Sequence, residues 1–131
     1  MRSWIDVASQ LPLPDAAFLL LIRTIDVDNW LRKQVAAAST NNSVPDLKYS
    51  DSRRAFTVLR AIRQDVTDDE LHAAVERAKK FWMDCCSNYR DSAAGLVSDA
   101  HRAVDLALPN YPGFLKETRN WAIDRLCFEN R

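Results

Sequence analysis

Thr67 to Tyr89 reads TDDELHAAVERAKKFWMDCCSNY, and this stretch decides the fold. Its opening Thr67-Asp68-Asp69-Glu70 is a capping box, in which the threonine hydroxyl accepts from a backbone N–H of the first turn and the glutamate reaches back to the threonine N–H. Behind the cap, Leu71, Val75, Ala78, Trp82, Cys85 and Tyr89 recur by fours and threes over almost three heptads. That is the spacing of a helix packed in a bundle.

Helix signals continue on both sides. Ser3 is a natural cap for a short helix to Gln10, and Leu11-Pro12-Leu13-Pro14 then enforces extended backbone, because residues before proline are pushed out of the α region. Pro14 and Asp15 suit the first turn of a helix reaching at least Thr24. Its run Ala16 to Ile22 is apolar nearly all round, so this helix is either central or covered by a partner. Asp26 to Asn29 either kinks it or separates a second helix, Asn29 to Ala38, for which Asp28 is the N-cap; the stripe Val27, Leu31, Val35, Ala38 is amphipathic in both cases. Ser39 to Pro45 reads as a loop.

A third helix starts near Ser50 or Asp51 and ends about Gln64. It gathers Ala55, Phe56, Val58, Leu59 and Ile62 on one side and Arg53, Arg60 and Arg63 on the other, with Arg54 on a flank. After a polar interruption at Ser87 to Ser92, Ala93, Val97, Ala100, Val104 and Ala107 mark another helix through Leu108. Pro109 to Gly113 stops the chain, and a last helix carries Leu115, Trp121, Ala122 and Leu126. No stretch alternates in the manner of a strand. The expected fold is all-α: residues 1–131 as a single helical domain, an irregular bundle of five or six helices.

Composition agrees. The chain has 131 residues, 47% of them hydrophobic, enough to bury a core without disulfides or metal. Two glycines, Gly95 and Gly113, are too few for primed hairpin turns or a phosphate-cradling loop. Eighteen basic side chains balance eighteen acidic ones, so charge names no partner. Ala16 to Ile22 is seven residues, far short of the about 20 that span a bilayer, and the charges following it do not suit a signal peptide. Cys85, Cys86 and Cys127 make an odd set without framework spacing, as expected of reduced thiols in a cytoplasmic protein that makes no membrane contact.

Catalytic equipment is sparse. His72 shares a helix face with Asp68 and Glu76, which would suit a carboxylate-polarised base or half a metal site; it reads first as an exposed histidine among helix-N-terminal acids. His101 flanks the Val97 and Val104 stripe. Cys85, Cys86, Cys127 and His101 lack any CxxC or HExxH spacing for zinc, adjacent helical cysteines diverge by about 100°, and no Gly-x-Ser-x-Gly is present. No catalytic residue, metal or cofactor is therefore assigned. Lys48 to Arg63 holds five basic residues against one acid. The expected function is a non-enzymatic protein-binding module, of the inhibitor, immunity or adaptor kind. It would act through Arg53, Arg54, Arg60 and Arg63 with Trp4 and Trp30, since arginine and tryptophan dominate protein interfaces. The alternatives are nucleic-acid binding by the same arginine face and an enzyme centred on His72. Homo-oligomerisation through Ala16 to Ile22 is a further expectation.

Overall fold

Two helix starts are made by the hydroxyls expected to make them. Ser3 Oγ accepts from the Asp6 N–H at 3.1 Å and opens α1, Trp4–Gln10. Thr67 Oγ1 accepts from the Glu70 N–H at 3.2 Å and opens α5, Asp68–Asn88. The computed structural model describes residues 3–38 and 51–131. The expected loop at 39–45, with Lys48 and Ser50, lies outside the described residues, as do the side chains of Val35 and Ala38. The other helices are α2, Leu13–Ile22; α3, Thr24–Ala38; α4, Asp51–Ile62; α6, Leu96–Ala107; and α7, Lys116–Asn130, entered through a single 3-10 turn, Leu108–Asn110. Among the described residues there are seven α-helices and no strand. The count passes six because α1 forms and residues 13–38 divide in two.

That division falls at Arg23, whose φ of −92° and ψ of 57° end α2, three residues before the expected break. Asp28 is consequently inside α3 and caps nothing; it faces Arg54 of α4 at 3.4 Å. The uniformly apolar α2 is the axis of the fold and packs against α1, α3, α4, α5 and α7. Every residue from Ala16 to Ile22 is buried within the single chain. The run expected to form an oligomer seam thus packs against five helices of its own chain.

The buried apolar residues form one cluster. Its aromatic centre is Phe18 of α2, with ring centroids 5.2 Å from Phe81, 6.2 Å from Trp82 and 6.2 Å from Phe114. The expected α5 stripe is buried at Leu71, Val75, Ala78, Cys85 and Tyr89, while Trp82 is half-buried and Phe81 beside it is enclosed. In α6 the buried apolar set is Ala100, Ala103, Val104 and Ala107, while Val97 is 60% exposed. Ala93 precedes the helix, which begins only after Gly95 turns the chain at a φ of 97°. Leu115, expected on the last helix, is the N-cap residue of α7 and is exposed. No helix among the described residues is long and apolar enough to cross a membrane.

Candidate functional site

The expected arginine face is largely occupied by the protein itself. Arg63 Nη2 donates to the carbonyls of Ala8, at 3.1 Å, and of Leu11, the last acceptors of α1. A guanidinium there gives the Leu11 carbonyl a donor, adds a second to the Ala8 carbonyl, which already accepts from the Leu11 N–H at 3.3 Å, and meets the negative end of the helix dipole. Arg60 donates to Asp68 at 2.7 Å and to the Arg63 carbonyl at 2.6 Å, tying the end of α4 to the start of α5. Arg54 lies between Asp51 and Asp28. Arg53 is exposed on the same helix. Arg54, Arg60 and Arg63 fasten the α4 segment to α3, α5 and α1, and of their side-chain acceptors a helical wheel of α4 contains only Asp51.

Trp4 and Trp30 are half-buried and packed against the core. Trp4 meets Trp121 edge-on at 6.2 Å and carries the Arg23 guanidinium 3.8 Å above its ring. This assembly borders an open groove of about 350 Å³ at the α2–α3 corner, lined by Ile22, Arg23, Ile25, Trp121, Arg125 and Phe128, with Asp124 beside them. Ile25 is 75% exposed and Phe128 53%. Arg125 and Arg131 place their guanidiniums 5.2 and 4.3 Å from the Phe128 ring. A second hollow of about 290 Å³ shares Ile22 and Arg125 and runs on to Met83, itself 57% exposed. The second hollow is mixed in character, with Asp51, Lys79 and Glu129 beside Ile22 and Met83.

A separate groove of about 600 Å³ lies between α4 and α5, lined by Ser52, Arg53, Phe56, Thr57, His72, Val75 and Glu76. The His72 imidazole stacks on Phe56 with centroids 4.0 Å apart and planes 10° from parallel. Asp68, expected beside it, is bound to Arg60 instead.

The remaining polar constellations join helices. Arg119 of α7 holds the Asp105 carboxylate of α6 through two donors, at 2.8 and 3.0 Å, and lies 3.1 Å from His101 Nδ1. Its hydrogen bonds hold the Asp105 carboxyl below the usual carboxylate range. Burial pushes the Cys85 thiol up to about 12, and burial with nearby Glu129 pushes Cys86 up to about 11. Both are protonated near neutrality and poor nucleophiles. No group of three or more His, Cys, Asp or Glu among the described residues could hold a metal ion.

Comparison with family models, curated proteins and solved structures gave no match. The site is therefore read from its chemistry alone. The corner groove was legible in one respect: Ile25 precedes buried Val27 by two residues and Phe128 follows buried Leu126 by two, which at 100° per residue puts each about 200° round its helix from a core position. Both point outward by phase. What no wheel contains is that the two outward faces meet.

Proposed function

We propose that this chain is a non-enzymatic protein-binding module of the inhibitor, immunity or adaptor kind, engaging its partner at the α2–α3 corner and α7 rather than along the arginines of α4. The observation that supports this reading is the pair Ile25 and Phe128, large apolar side chains left exposed beside Trp121 in one groove. Apolar anchors framed by tryptophan and arginine are the usual energetic centre of a protein interface. The unpaired thiols Cys85, Cys86 and Cys127 agree with a reduced, cytoplasmic setting, which belongs to the same proposal. Affinity purification tests it. Wild-type protein recovers a stoichiometric partner, Ile25→Glu and Phe128→Glu lose it while keeping the helical circular-dichroism spectrum, and Arg53→Glu retains it. Loss on reversal of Arg53 alone, with the corner variants still binding, would overturn the assignment to the corner.

A second reading, catalysis or ligand handling at His72, is favoured by the groove that Arg53, Ser52 and Glu76 form around the stacked imidazole. Histidine NMR titration tests it: a ligand that enters moves the His72 ring resonances and leaves those of His101 in place.

A further inference from the structure

We draw no further inference here: the strongest candidate, the groove between α4 and α5 where the His72 imidazole stacks on Phe56, is lined by one cation, Arg53, and one anion, Glu76, among hydroxyl side chains, and nothing in the structure shows what occupies it.

Discussion

Asp15, in the first turn of α2, accepts a hydrogen bond from the Thr118 hydroxyl across 103 positions of sequence, with the same Oδ1 also accepting from the Leu115 N–H at 2.8 Å. Leu115 is the N-cap residue of α7 and has no side-chain oxygen to serve its own helix, so the carboxylate of another helix caps it. Asp15 and Thr118 are both fully buried. Removing Asp15 leaves a hydroxyl and an N–H without an acceptor in the interior. Asp15→Ala is expected to cost about 2–3 kcal/mol, and Thr118→Val less, about 1 kcal/mol. A double-mutant cycle in urea checks this: the pair costs clearly less than the sum of the singles, because one interaction is removed twice.

Arg63 is a structural clamp. Arg63→Ala strips the donor from the terminal carbonyls of α1 and is expected to cost about 1–3 kcal/mol, with faster amide exchange concentrated in Trp4–Gln10. Arg60→Ala, whose partner Asp68 is largely exposed, should cost under about 1 kcal/mol. Chemical denaturation with hydrogen exchange separates the two. Equal effects, or none at α1, would remove the clamp.

Core and corner apolar residues should part company on substitution. Phe18→Ala opens a cavity beside Phe81, Trp82 and Phe114 and is expected to cost about 3–5 kcal/mol. Ile25→Ser leaves the melting temperature within a few degrees, since its side chain is mostly in water already. Calorimetry of the two variants reads this directly.

Alkaline stability follows from four groups. Cys85 and Cys86 are raised from 9.0 to about 12 and about 11 by burial, and Tyr89 and Tyr111 from 10.0 to about 12, Tyr89 first by burial and Tyr111 first through its hydrogen bond to Asp84. A folded pKa above the unfolded one means that the native state holds its proton more tightly. The associated stability is complete below pH 9 and is lost as pH rises toward 12. Denaturant midpoints should therefore fall through that window, and Cys85 should react with a maleimide at pH 8 only on unfolding. Rapid modification of Cys85 in the native protein would contradict its burial.

Gly95 and Gly113 show how little two residues can disclose alone. Both take positive φ, 97° and 101°, and open space surrounds the position a Cβ would fill, so backbone conformation and not crowding calls for glycine. Gly95 delays α6 and turns Val97 outward. The stripe of residues 93 to 107 is buried only from Ala100 onward: Ala93 precedes the helix, and Val97, in its first turn, is exposed.

Local chemistry determined the class of this protein. Hydroxyl caps, helical spacing of apolar residues, and the near absence of glycine act over one or two turns, and each is complete within the sequence that carries it. The partners of charged side chains were decided by tertiary structure. Arg63 could have faced water, phosphate or another protein; it meets α1 because packing on α2 brings the end of that helix beside α4. Ile25 and Phe128 point outward by phase alone, but they share a groove only because the backbone turns at Arg23 and α7 crosses that corner. A long side chain takes its nearest acceptor, and only the assembled helices determine which acceptor that is.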